Sequence, residues 1–213
     1  MNTLVDNDVL VKGACYGVLA ELATSVSGIA SRCGVLGAAR FVAPSAIRRQ
    51  HLQRDASIAR ELLQAFLDQT VVVEPTEDEQ QLAAELESTA QALALNLDAG
   101  ESQLAAILVT RTIASMLTGD KRAIVAMEQL LQTIPQVQVL AGRVHCLEQA
   151  VRRLVQATDV ATIRHAICAE PRVDKALTIC FSCASPDSQP AVVAALSSYI
   201  DDLRAAAPHV LAV

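Results

Sequence analysis

No tryptophan, two tyrosines and three phenylalanines leave this 213-residue chain almost without aromatic surface. Its core has to be built from leucine, valine, isoleucine and alanine, and at 52% hydrophobic residues there are enough of them for a sizeable one. An aliphatic, alanine-rich interior favours helices. The same shortage means that base stacking contributes little to any contact with nucleic acid. Positive charge is scarce as well. The formal net charge of -6 excludes a general electrostatic footprint for a polyanion and requires any such ligand to meet a local basic patch. No run reaches the roughly 18 uninterrupted apolar residues of a membrane span, and no basic segment precedes the first apolar run. The expectation is a cytoplasmic chain with no membrane association, in which the six cysteines are most simply free thiols. Several catalytic patterns are missing too. There is no glycine-rich loop before a helix and no Ser/His/Asp or Cys/His arrangement, and His51, His145, His165 and His209 are too dispersed to nominate a general base.

What is present is an alternation of short apolar runs with helix-length segments. Asn2 to Asp8 reads as a short buried strand ending in acids, and Val9 to Val26 keeps helical spacing. A glycine-bearing break follows at Cys33-Gly34-Val35-Leu36-Gly37. Ala39 to Ala43 then reads as a second strand stopped by Pro44, ahead of a polar helical stretch with Arg48, Arg49 and Arg54. The clearest strand is Thr70 to Glu74, β-branched and closed by Pro75. Thr76-Glu77-Asp78-Glu79 supplies the acidic first turn of a helix carrying Leu82, Leu86 and Leu93. From Asp98 the pattern gives a helix through Leu104, Ile107, Leu108 and Arg111, then a short apolar piece at Ile113 to Leu117. A helix from Lys121 to Ile134 ends at Pro135. Val137 to Leu140 is a final strand candidate, and Arg143 to Gln156 a closing helix with Leu147, Val151 and Leu154 on one face. Strands separated by helices predict an α/β fold, a small parallel sheet flanked by helices, over residues 1–157.

Acids recur where an apolar strand gives way to a helix. Asp6 follows Thr3-Leu4-Val5, Glu101 stands in Asp98-Ala99-Gly100-Glu101-Ser102, and Asp120 follows Met116-Leu117-Thr118-Gly119. Such an acid is most often a helix cap or a dipole partner. Carboxylates scattered in sequence but alike in setting are also how a magnesium or manganese site is assembled, since the ion takes hard oxygen ligands from separate elements. In a parallel sheet the ligand crevice lies beyond the carboxyl ends of the strands, where Asp6 and Asp120 would stand.

At these residues the chain resembles the PIN-domain nucleases, over residues 1 to about 157. Leu4-Val5-Asp6-Asn7-Asp8-Val9-Leu10 is similar to that family's opening. Asp98-Ala99-Gly100-Glu101-Ser102-Gln103-Leu104 looks like the form of its central motif in which Gly-Glu opens a helix, and Leu117-Thr118-Gly119-Asp120 is similar to its hydrophobic-Thr-x-Asp signature. The resemblance implies divalent-metal-dependent cleavage of RNA, with single-stranded DNA as an alternative substrate, and frequent dimerisation. By motif match Asp6, Glu101 and Asp120 are the catalytic and metal-binding set for Mg2+ or Mn2+, with Asp8 as an added ligand and Thr118 as a supporting hydroxyl. One departure stands out. The family usually places a further acid on the helix after the second strand, but Pro44-Ser45-Ala46-Ile47-Arg48-Arg49-Gln50 has none, leaving Glu61, Asp55 or Asp8 as substitutes. Lys12, Arg48, Arg49, Lys121 and Arg122 are candidate phosphate contacts.

The tail, residues 158–213, lies outside the resemblance and reads as a helical extension: Val160 to Ala169, Val173 to Ala184 and Pro190 to Ala207, with Pro186 and Pro190 fixing a loop. His165-x-x-Cys168 and Cys180-x-x-Cys183 have zinc-like spacing, but the apolar Leu177-Thr178-Ile179 favours buried helical thiols. The stripe Val192, Val193, Leu196, Tyr199, Ile200 and Leu203 packs on the first domain, joins two copies or receives a partner. Two functions follow. One is a metal-dependent ribonuclease, toxin-like and regulated by a protein partner or inhibitor. The other is a PIN-like binding module that has lost activity. The first requires residues 6, 101 and 120 to share one water-accessible pocket with no arginine bridging it.

Overall fold

The computed structural model describes residues 1–28, 33–185 and 188–213. At its centre is an all-parallel sheet of five strands: β1 (Thr3–Val5), β2 (Cys33–Leu36), β3 (Val71–Val73), β4 (Ser115–Thr118) and β5 (Val144–Cys146), in the order β3-β2-β1-β4-β5. Neighbouring residues of a strand point to opposite faces. Leu4 and Met116 accordingly enter one core cluster and Val5 and Leu117 the other. Both faces are covered by helices, and so the inner strands β2, β1 and β4 are buried along their whole length.

One face carries α1 (Asn7–Tyr16), α2 (Leu19–Ser27), α3 (Ala39–Arg49), α4 (Ala56–Leu67) and α8 (Leu147–Ala157), and the other α5 (Glu77–Ala92), α6 (Ala99–Arg111) and α7 (Lys121–Thr133). The tail forms α9 (Val160–Cys168), α10 (Lys175–Cys180) and α11 (Gln189–Ala206). Its Ile163, Ile167, Phe181, Val192 and Leu196 join the first cluster, while Ile200, Leu203 and Leu211 join the second. The apolar stripe of α11 therefore packs on the chain itself, chiefly against α8. The last residues close the β5 edge: Leu211 bridges Val144, and the Ala212 N–H donates to the Val144 carbonyl at 2.8 Å. Among the described residues no helix is long and apolar enough to cross a membrane.

Four expectations are corrected. The helix read through Val9–Val26 is two, because Gly17 ends α1 in the left-handed region at φ 75. The second strand is Cys33–Leu36, where a break was expected, and Ala39–Ala43 begins α3 with Pro44 inside it. The buried set Ala39, Ala43 and Ile47 recurs every fourth residue, and that spacing overrides the strand preference of Phe41-Val42. Val137–Leu140 lies in a 3-10 helix, Pro135–Leu140, and the fifth strand is Val144–Cys146, inside the segment read as the start of the closing helix. Finally, Cys168 and Cys183 form a disulfide, while Cys15, Cys33, Cys146 and Cys180 are free and buried. The zinc-like spacing of the tail is thus spent on a cross-link. Of the loop expected at Pro186 and Pro190, Pro186 and Asp187 lie outside the described residues.

Candidate functional site

Chain order reverses between β1 and β4, which makes the crevice at their carboxyl ends the switch point where ligands bind in open α/β sheets. Asp6 leaves β1 and caps α1, its side chain accepting from the Asp8 N–H. Asp120 follows β4 and caps α7. From the layer below, Asp98 and Glu101 form the capping box that opens α6. Asp98 Oδ1 accepts from the Gly100 and Glu101 N–H groups at 2.9 Å, and Glu101 Oε2 accepts from the Asp98 N–H at 3.1 Å. The capping role is therefore real for every one of these acids. It does not remove them from the crevice, since Asp6, Asp8, Asp98, Glu101 and Asp120 all line one cleft of about 770 Å³.

Thr118 links two of them. Its buried hydroxyl donates to Asp6 Oδ2 at 3.2 Å and accepts the Asp120 N–H at 3.2 Å, which ties the end of β1 to the start of α7. Gly119 beside it leaves room for Asp8, since a Cβ there would fall 2.0 Å from Asp8 Oδ2 and that carboxylate would have to turn away.

The charges divide sharply. Asp6 and Glu101, at 6% and 4% exposure, form no ion pair among the described residues. Burial, together with neighbouring Asp8 and Asp98, pushes Asp6 up to about 6. Burial, then repulsion from Asp98, Asp6 and Asp120, pushes Glu101 up to about 8. Asp120 behaves differently: burial would raise it, but Arg122 outweighs this and holds the carboxyl below its usual range. Arg122 Nη2 reaches Oδ2 at 2.7 Å and Nε reaches Oδ1 at 3.2 Å, so the guanidinium engages both oxygens. Arg122 itself is 72% exposed at the mouth of the cleft.

Two cations expected to grip phosphate are already engaged. Lys12 pairs with Asp8 at 2.7 Å and with Asp174 at 2.8 Å. Lys121 pairs with the buried Glu148 at 2.5 Å and lies over the Tyr199 ring. Arg48 and Arg49 are exposed on the last turn of α3, away from the acids. Of the three substitutes for the absent acid, Asp55 and Glu61 do not line the cleft. Asp55 caps α4 through the Ser57 N–H, and Glu61 is exposed on the same helix. Asp8 does line the cleft.

Sequence reasoning missed the two acids that hold these lysines: Asp174 comes from the tail, where Val173-Asp174-Lys175 signals only a helix cap, and Glu148 reads only as an acid in the first turn of α8. As the side chains stand, no three His, Cys, Asp or Glu among the described residues meet closely enough to hold one metal ion. The donors nonetheless have the chemistry a hard divalent cation takes: carboxylate oxygens, two of them buried without a counter-charge. No family model matches this sequence, and neither does any curated protein or solved structure.

Proposed function

We propose that this chain is a PIN-like, divalent-metal-dependent ribonuclease whose site is the acidic cleft at the β1/β4 switch point. The observation that carries the reading is the convergence of Asp6, Glu101 and Asp120 on one cleft, with the first two buried, mutually repelling and short of a cation. Asp6, Glu101 and Asp120, with Asp8 beside them, would hold Mg2+ or Mn2+. Such an ion supplies a water of lowered pKa and offsets charge on the phosphate. The chain's own residues prepare the place: Thr118 fixes Asp6 relative to α7, and the capping box fixes Glu101 on the first turn of α6. Arg122 engages Asp120 alone and, among the described residues, bridges no second acid, but it occupies both Asp120 oxygens and has to leave them for the ion, which its exposure permits.

That same arginine favours a second reading. With Asp120 engaged by Arg122, Lys12 and Lys121 engaged elsewhere and no acid on α3, the cleft also suits a regulatory module that binds without cutting. Cleavage of a mixed RNA and single-stranded DNA panel with Mg2+ or Mn2+, comparing wild type with Asp120→Asn and Asp6→Asn, separates the two. Loss of activity by about 100-fold or more in both variants is expected for the nuclease, since each removes a carboxylate from the charge-stabilising set. Equal activity in all three preparations identifies a contaminant and leaves the binding module.

A further inference from the structure

Phe41 is the one aromatic side chain left largely outside the protein. Phe66, Phe181 and Tyr16 are buried and Tyr199 is half-buried beneath Lys121, but Phe41 is 78% exposed on α3. It stands in an arginine-rich stretch of the chain. Residues 38–60 carry five arginines and a single acid, Asp55, within a chain of net charge -6. Among the described residues none of those five arginines forms an ion pair with a carboxylate, so the local excess of positive charge is not neutralised within the chain.

Helical spacing aligns these groups. Phe41 and Arg48 are seven residues apart, as are Val42 and Arg49, so each pair lies two turns along one face, a span of about 10 Å. All four are exposed, and among the described residues their side chains make one hydrogen bond, the local one from Arg48 Nη2 to Ser45 Oγ. The face begins at the acidic cleft, because Ala38 and Val42 line its wall. An exposed aromatic ring beside unpaired guanidinium groups suits a ligand that offers both π faces and phosphates.

We infer that the exposed face of α3 is a docking surface for single-stranded nucleic acid, with Phe41 stacking on an unpaired base and Arg48 and Arg49 contacting phosphates, so that the strand passes over Val42 into the cleft. The inference rests on the nuclease reading for what happens in the cleft, but the docking needs no metal. It revises the expectation that aromatic contacts are negligible: one ring is enough when it is the exposed one.

The experiment is fluorescence anisotropy in EDTA, with the full chain and a labelled oligonucleotide as single-stranded RNA, single-stranded DNA and duplex. Wild type is expected to bind both single strands more tightly than the duplex. Phe41→Ala weakens single-strand binding about tenfold and leaves duplex binding unchanged. Arg48→Gln with Arg49→Gln weakens all three and reduces the salt slope for single strands by about 1.4, the effect of two lost phosphate contacts. Melting curves confirm that these exposed substitutions leave the fold intact. Absence of single-strand binding, binding indifferent to either variant, or a duplex bound as well as a single strand overturns the proposal. So does light scattering that finds a dimer split by Phe41→Ala without nucleic-acid affinity, because the face then belongs to a second copy. Binding that survives in Asp120→Asn while wild type fails to cleave with Mg2+ or Mn2+ supports the docking surface and sinks the nuclease reading alone.

Discussion

Thr118 and Arg122 act on the same carboxylates in opposite directions. Thr118 is fully buried, and its hydroxyl links Asp6 Oδ2 to the Asp120 N–H. Thr118→Val keeps the volume and removes the bridge, leaving Asp6 Oδ2 with the Asp8 N–H but without the hydroxyl, and the Asp120 amide without the hydroxyl oxygen. The expected cost is about 1–2 kcal/mol in urea unfolding, with Mn2+ affinity reduced about 10- to 100-fold because the ligands lose their support. An unchanged unfolding midpoint would show that water replaces the hydroxyl without penalty. Arg122, by contrast, competes with any cation for Asp120. Arg122→Ala should leave stability close to wild type, since the pair is exposed, and should tighten Mn2+ binding severalfold by calorimetry. If Mn2+ binds no more tightly, Arg122 is a bystander and the poor convergence of the acids has another origin.

Among the elements, the segment from the end of α9 to the end of α10 carries more than its length suggests. The Cys168–Cys183 disulfide closes it, Glu170 accepts from the Gln53 and Arg54 N–H groups at 2.7 Å, and Asp174 reaches Lys12 at the cleft. A cross-link across 15 positions limits the unfolded chain and is worth about 3 kcal/mol. Cys168→Ser with Cys183→Ser, or wild type in a dithiol reductant, should lose that amount in urea unfolding. Equal midpoints with and without reductant would mean that the bond does not form in solution. No sequence pattern discloses this pairing, because disulfide partners are set by where helices meet in space.

The same division governs what could be read in advance. β1, β3 and the capped helices α5, α6 and α7 are legible, because β-branched runs, Pro75 and the acids at the caps are local causes of local structure. β2 and β5 are not. Both contain residues of weak strand preference, Cys33-Gly34 and His145-Cys146, and are held by their neighbours in the sheet. At the cleft the acids that cap helices were visible, whereas Asp174, Glu148 and the hold of Arg122 on Asp120 depend on tertiary placement or rotamer.

For the molecule as a whole, the acidic cleft makes stability depend on pH in a way that a cation should reverse. In the folded state Glu101 is pushed up to about 8 from 4.5 and Asp6 up to about 6 from 3.8. The folded chain therefore holds protons that the unfolded chain has released, and stability falls as pH rises through those windows, by at most about 1.4 kcal/mol per pH unit for each group. His145 works the other way. Burial first, and then Arg153, depress it to about 4 from 6.5, so it favours folding as pH rises toward 6.5 and offsets Asp6 there. Between about 6.5 and 8 Glu101 acts without that offset. In EDTA the melting temperature should decline across this interval, and Glu101→Gln should flatten the decline. A divalent ion replaces the proton as counter-charge to the carboxylates, so saturating Mn2+ should raise the melting temperature more at pH 8 than at pH 5. A rise of equal size at both values would place the bound ion away from Glu101, and the acidic cleft would lose its claim to the metal.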